Sequence, residues 1–362
     1  MHLRLLAPFA ATTLLACGAC QTAPKAPHCT LVTDGFSPPG TVAVMAETVV
    51  TGLEVPWGLA FLPNGDLLVT ERPARIRLVS NGQLVAQPVA TPPAVTRNEA
   101  GLLGLALHPD FASNRLFYIY LRVEKDGKQV NRVERWTLAE DHRSATFERI
   151  IVDDIPAGTY HDGGRLRFGP DGMLYIGTGD ARDPDLSQDR DSLAGKLLRV
   201  TPDGEAAPGN PFGNRTWLFG IRNTQGWDWR DADTLLLTDH GPSGDTLRTG
   251  HDEVTVAVKG DNLGWPTIYG CEAKDGLLTP SISFENAAPP GGAALYTGTV
   301  IPEWRGSLLV GTLKSRHLLR VVFDEAEPRR VARHESYFLG EPPAGFGRLR
   351  EVLMGPDGHL YV

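Results

Sequence analysis

The residues able to do chemistry are scattered along this chain, each just before or after an apolar, strand-like run. "YHDGGRLRF" (160–168) sets His161 ahead of two glycines and a strand. An imidazole takes a proton near neutral pH, so His161 suits a general base, and a solvated loop histidine is the plain alternative. Gly163 and Gly164 allow the backbone there to approach a ligand closely. "GIRNTQGWDW" (220–229) carries Arg222 and Asn223. A guanidinium is a planar, permanent cation for carboxylate or carbonyl oxygens, unless it is spent on a structural ion pair. "GTLKSRHLLRV" (311–321) places Lys314 at a strand end, and "GFGRLREVLMGPDG" (345–358) holds Arg348 and Arg350. In a strand, residues two apart share a side, so "RLR" aims two cations one way with Leu349 opposite. Such a pair calls for an anion, or else lies solvated on a strand edge. "NEAGLLGLALHPDF" (98–111) sets Glu99 before a tight apolar strand. "DHGPSGD" (239–245) and "DEVTVAVKGDNLGWP" (252–266) are rich in carboxylates and in Gly/Pro carbonyls. Hard cations such as calcium prefer these oxygens, although no EF-hand spacing is present.

The elements that must bring these residues together are strands. No long stretch shows apolar residues at i, i+3, i+4 and i+7. Short β-rich runs recur instead, and forty glycines and 28 prolines supply their turns. One phrase repeats: an apolar strand, Pro-Asp or Pro-Asn often with Gly, then another apolar strand. It covers 58–71, 104–121, 166–180 and 351–362, with degenerate copies at 227–241 and 302–314. Strand hairpins at such a period, with no helices between, predict a six-bladed β-propeller over 42–362. A β-sandwich with chance turns is the alternative. The last copy stops at Val362 in mid-strand, so the final blade is expected to be truncated, unless residues near 42–51 complete it. Propellers bind ligands at one end of the central channel, which explains why the chemistry is scattered.

The net charge of −8, with no basic patch, argues against nucleic acid as a partner. Residues 1–17 read as an export signal: Arg4, then an apolar run too short to span a bilayer, then "LLAC". The ending resembles a lipobox, which predicts a periplasmic protein lipid-anchored through Cys17, with simple secretion as the alternative. Residues 18–41 read as a flexible tether. The four cysteines fit no zinc spacing, and an oxidising compartment permits a Cys29–Cys271 bridge.

Taken together, "GLLGLALHPDF", "HDGGRLRFGPDGMLYIGTGD", "RNTQGW", "HGPSGD…DEVTVAVKGDNLGWP" and "GRLREVLMGPDG" resemble the soluble pyrroloquinoline quinone (PQQ)-dependent sugar dehydrogenases, over about residues 48–362. That family folds as a six-bladed propeller. The resemblance implies PQQ- and calcium-dependent oxidation of an aldose at C1 to a lactone, with an external electron acceptor. His161 would be the general base and Arg222 would polarise the quinone oxygen. Asn223, Lys314, Arg348 and Arg350 would hold the cofactor. Glu99 stands with them, where the glucose dehydrogenase branch has Gln. Gly241 and Pro242 would offer carbonyls to one calcium, and the Glu253 side chain with the Leu263 carbonyl would hold a second. The short 267–300 region favours broad aldose specificity. A non-catalytic propeller binding a carbohydrate or protein stays open, as does a calcium-dependent lactonase.

Overall fold

The computed structural model describes residues 24–243 and 249–362. Its architecture grows from the repeated turn. In "GPDG" at 169–172, the Asp171 carboxylate accepts the Met173 N–H (3.0 Å), and Gly172 takes φ +73°, where a side chain would be strained. The Gly172 N–H then closes on the Gly169 carbonyl (2.9 Å). Asp357 and Gly358 repeat this in the last copy, and Asn64, Asp66 and Gly65 in the first. Each turn reverses the chain, so consecutive strands pair antiparallel.

Blade one comprises Pro56–Phe61, Leu67–Glu71, Arg75–Ser80 and Gln83–Leu84. Blade two comprises Leu102–Leu107, Leu116–Lys125, Lys128–Leu138 and Ala145–Pro156. Blade three holds Leu166–Phe168, Leu174–Gly177, Lys196–Val200 and Thr216–Phe219. Blade four holds Gly226–Trp229, Thr234–Asp239, Asp252–Val258 and Ile282–Phe284. Blade five holds Pro290–Leu295, Leu308–Thr312, Leu318–Phe323 and Val331–Tyr337. Apolar faces interlock between neighbours. Leu68 and Ile76 of blade one meet Leu105 and Phe117 of blade two, and Leu236 and Val254 of blade four meet Val310 and Leu319 of blade five. No blade could bury both faces alone, so stacking supplies the core.

The protein is an all-β propeller. Six blades were expected, and the described residues form five blades plus one hairpin, Leu353–Met354 with Leu360–Tyr361. The sixth copy contributes two strands and pairs with no third. The hairpin packs against blade five through Val352 and Met354, and its Tyr361 ring meets Phe61 of blade one (centroids 4.8 Å). Residues 42–51 form no strand; Val42 and Val44 pack beside the hairpin and Val50 against blade one.

The tether reading of 18–41 does not hold for its described part, residues 24–41. Thr30–Val32 adds a parallel fifth strand to blade four, pairing with Ile282–Phe284. Pro39 bridges Ser336 on blade five, and Cys29 is joined to Cys271 (Cα–Cα 5.5 Å). Composition suggested a linker, but an unpaired sheet edge recruited the segment. Residues 1–17, expected to be an export signal ending at Cys17, lie outside the described residues.

Candidate active site

First strands begin, and second strands end, at the same end of the propeller. Loops from all blades meet there. His161 lies on the segment leading into Leu166–Phe168, held at φ +67°, and is buried. Its Nδ1 faces the Asp180 carboxylate at 2.6 Å, so Nδ1 carries the proton and donates, leaving Nε2 as the acceptor. Asp180 follows the second strand of blade three. It also accepts the Trp265 indole N–H (2.9 Å) and the Arg182 backbone N–H (2.8 Å). Burial pushes its pKa up, but these donors and His161 outweigh burial and hold it below the usual carboxylate range. His161 therefore stands against a lasting negative charge.

Gly163 and Gly164 do approach a backbone closely, though it is the protein's own. A Cβ on Gly163 would sit 2.5 Å from the Gly177 carbonyl oxygen, and one on Gly104 2.1 Å from the Gly164 oxygen. The glycines let the His161 segment thread between blades two and three. The Gly163 N–H donates to Asn223 Oδ1 (2.9 Å), linking that segment to blade four.

Arg222 and Asn223 lead into blade four. Both backbone N–H groups donate to the Asp239 carboxylate, at 2.8 and 2.7 Å. Burial raises Asp239 to about 7 despite these donors. The Arg222 guanidinium lies over the Trp265 ring, 5.4 Å from its centroid. Asn223 Nδ2 donates to His240 Nδ1 (3.2 Å), and His240 Nε2 donates to the Pro290 carbonyl (2.7 Å). Burial drives His240 down to about 3, so this ring is neutral.

A cavity of about 280 Å³ is lined by Tyr160, Asp162 and Gly163, which flank His161, while His161 and Arg222 themselves are not among its walls. Arg72, Glu99, Gly163, Gln225, Arg348 and Arg350 are among its walls. Arg348 and Arg350 share the cavity side while Leu349 packs into the core, as the alternation required. The segment lies outside any strand, ending ahead of Leu353–Met354. None of Arg72, Arg348 and Arg350 makes an ion pair with a described residue. Burial, then Arg348 and Arg72, lower Arg350 to about 10. Glu99 accepts the Asp162 N–H (2.9 Å), and burial with the Asp162 charge raises its pKa.

Lys314 is exposed, two residues past its strand rather than within it. Leu313, not Lys314, lines the cavity; the lysine's charge reaches Asp252. Gly241 donates its N–H to Asp252 (3.0 Å). Glu253 stands opposite Asp239 across the ladder, and burial beside Asp239 and Asp252 raises its pKa well above the usual range. Leu263 packs in the core between blades three and four. Among the described residues, no group of three His, Cys, Asp or Glu side chains is arranged to hold a metal.

Sequence reasoning missed Arg72, Asp180, Trp265 and His240. Arg72, Asp180 and His240 share a signal: each lies just past the second strand of its blade, as Lys314 does.

The glucose/sorbosone dehydrogenase family model matches residues 53–362. An aldose sugar dehydrogenase of Escherichia coli K12, YliI, is 33% identical over 90% of this chain and 91% of its own. Quinoprotein glucose dehydrogenase B of Acinetobacter calcoaceticus is 25% identical over 78% of this chain and 66% of its own. The PQQ-bound form of aldose sugar dehydrogenase from Streptomyces coelicolor superposes with a TM-score of 0.75, at 36% identity, covering 88% of this chain and 90% of that one. This chain belongs to the glucose/sorbosone dehydrogenase family.

Proposed function

We propose that this protein oxidises aldose sugars at C1 to lactones, using PQQ and calcium and passing electrons to an external acceptor. The observation that carries this reading is the His161–Asp180 pair beside a cavity walled by arginines with no ion-pair partner among the described residues. That cation set fits a planar polycarboxylate.

His161 Nε2 takes the proton from the C1 hydroxyl. Asp180 holds the ring's orientation and tautomer and offsets the positive charge formed on it. When bound, PQQ supplies the two-electron acceptor for the hydride leaving C1. Arg222, held over Trp265, offers its charge where negative charge grows. Arg348 and Arg350, with Lys314 from the rim, hold carboxylates, while Asn223 and Glu99 supply polar contacts. Calcium would be held by the Gly241 and Pro242 carbonyls, the former now accepting the Ser243 N–H (2.8 Å), in a loop that Asp252 steadies through the Gly241 N–H. Glu253, whose carboxyl makes no hydrogen bond with a described residue, suits a second ion together with the Leu263 carbonyl.

The same reading takes the hairpin as the inner half of a sixth blade. It also takes the protein as exported to the periplasm and lipid-anchored at Cys17. The Cys29–Cys271 disulfide supports an oxidising compartment.

The test mixes purified protein with PQQ, calcium, an aldose and an artificial acceptor dye. Dye reduction that needs all of them is expected. Sugar binding without reduction by any aldose would return the protein to a non-catalytic role.

A further inference from the structure

We propose that Arg72 is a further cofactor-holding residue: with Arg348 and Arg350 it forms a three-arginine wall that takes carboxylates of the bound cofactor. This rests on the PQQ reading above and adds a residue to it.

Arg72 directly follows the strand Leu67–Glu71, and its backbone is pinned. Its N–H donates to the Val55 carbonyl (3.1 Å), and its carbonyl accepts from Leu102 N (3.1 Å) and Thr96 Oγ1 (3.2 Å). The side chain leaves that fixed point for the cavity. Its sequence neighbour Glu71 is already engaged, accepting from Arg75 (2.6 Å), Arg77 (3.2 Å) and the Glu54 N–H (2.5 Å). The acids lining the cavity are no better placed. Asp162 is bonded to Arg122 and Asn131, and Glu99 accepts the Asp162 N–H while burial and the Asp162 charge raise its pKa. Arg72 thus keeps a buried Nε with no hydrogen-bond partner and no ion pair, beside two more guanidinium groups. Three adjacent cations without counter-ions repel one another, and a polyanion at their centre removes that repulsion.

Gly101 makes room for this arrangement. A Cβ there would meet Arg72 Cγ at 2.7 Å and the Arg72 carbonyl oxygen at 2.4 Å, and the residue sits at φ +151°. The glycine of "AGLLG" therefore serves Arg72 on the neighbouring blade.

The experiment titrates PQQ, with calcium present, into cofactor-free wild type, Arg72→Gln, Arg72→Lys and the exposed control Arg97→Gln. Fluorescence quenching gives Kd, and thermal unfolding gives the midpoint with and without cofactor. Arg72→Gln should bind at least tenfold more weakly with a shallower salt dependence, Arg72→Lys should recover part of the loss, and Arg97→Gln should match wild type. The cofactor-free midpoint of Arg72→Gln should stay level or rise, because a like charge has gone. A wild-type Kd in Arg72→Gln overturns the assignment. So does a lowered cofactor-free midpoint with an unchanged shift on saturation, which marks a structural arginine. Failure of wild type itself to bind PQQ overturns the cofactor reading, and this inference with it.

Discussion

Arginines are placed differently inside the blades, where they are buried, and at the channel mouth, where Arg72 and Arg350 are half-buried and Arg348 is exposed. Inside the blades each fully buried arginine has its acid, whereas the buried Lys196 is held by the carbonyls of Leu186, Ser187 and Ala194. Arg135 meets Glu148 at 2.8 Å and Asp203 at 2.7 Å, Arg320 meets Glu335 at 2.9 Å, and Arg122 is paired with Asp162. Deep in the channel, Arg165 pairs with Glu351, lies 4.3 Å from the Trp57 ring centroid, and donates to the carbonyls of Gln225 (2.8 Å) and Arg350 (3.0 Å). A few residues away, Arg72, Arg348 and Arg350 have no such acid among the described residues. Half-buried Arg115, Arg215 and Arg230 also lack an acid among the described residues, but each bonds a backbone carbonyl, whereas the three mouth arginines share one cavity. The contrast separates scaffold charge from charge kept for a ligand.

The largest expected effect tests whether the mouth does chemistry as well as binding. His161→Ala should lower turnover by about 10²–10⁴-fold, the usual contribution of a positioned base, while PQQ affinity changes little. Steady-state kinetics with a parallel cofactor titration separate the two, and wild-type turnover would remove His161 from the mechanism. Next comes the pairing contrast itself. Glu351→Gln strips Arg165 of its acid and should destabilise the protein by about 3–5 kcal/mol. Arg350→Gln in the cofactor-free protein should change stability by no more than about 0.5 kcal/mol. Equal losses in urea unfolding would erase the distinction. A third test concerns the N-terminal segment. Cys29→Ser opens a link between residues 242 apart in sequence and should lower stability by about 2–4 kcal/mol, read as a lower unfolding midpoint. An unchanged midpoint would mean that Thr30–Val32 is held by its strand pairing alone.

What could be read from the sequence followed how local the cause was. The "PDG" turns were legible because Asp171 and Gly172 close them within four residues. The degenerate copy at 302–314 was misaligned. It spans the 3-10 turn Pro302–Trp304 and the second strand of blade five, because the first, Pro290–Leu295, begins with "PGG" and carries little apolar signal. The joining of Thr30–Val32 to Ile282–Phe284 has no local cause, so 24–41 read as linker. At the site, His161, Arg348 and Arg350 stood out as polar residues ahead of first strands. Arg72 and Asp180 did not, because their meaning depends on second strands ending at the same mouth. That convergence belongs to the ring.

The smallest effect is a pH slope, and it probes a ring that the mouth buries without charge. His240 titrates at about 3 in the fold against 6.5 in the open chain, because burial disfavours the imidazolium. Between those values the unfolded chain binds a proton that the folded protein refuses. The stability tied to His240 is therefore complete above pH 6.5 and is lost as pH falls toward 3. Asp239 and Asp252 work the other way, since burial raises them to about 7 and about 6 from 3.8. The folded protein holds their protons more tightly, so their contribution grows as pH falls through the same window. His240→Asn removes one arm of this opposition and leaves the other. Its unfolding midpoint should fall less than that of wild type between pH 6.5 and 4, or rise. At pH 8 the two should differ only by the lost hydrogen bonds, about 1 kcal/mol each. Parallel curves of midpoint against pH would mean that His240 is protonated in the fold. Asn223 would then face a cation where it now faces a neutral acceptor, and the mouth would carry one more positive charge than the arginine contrast assumes.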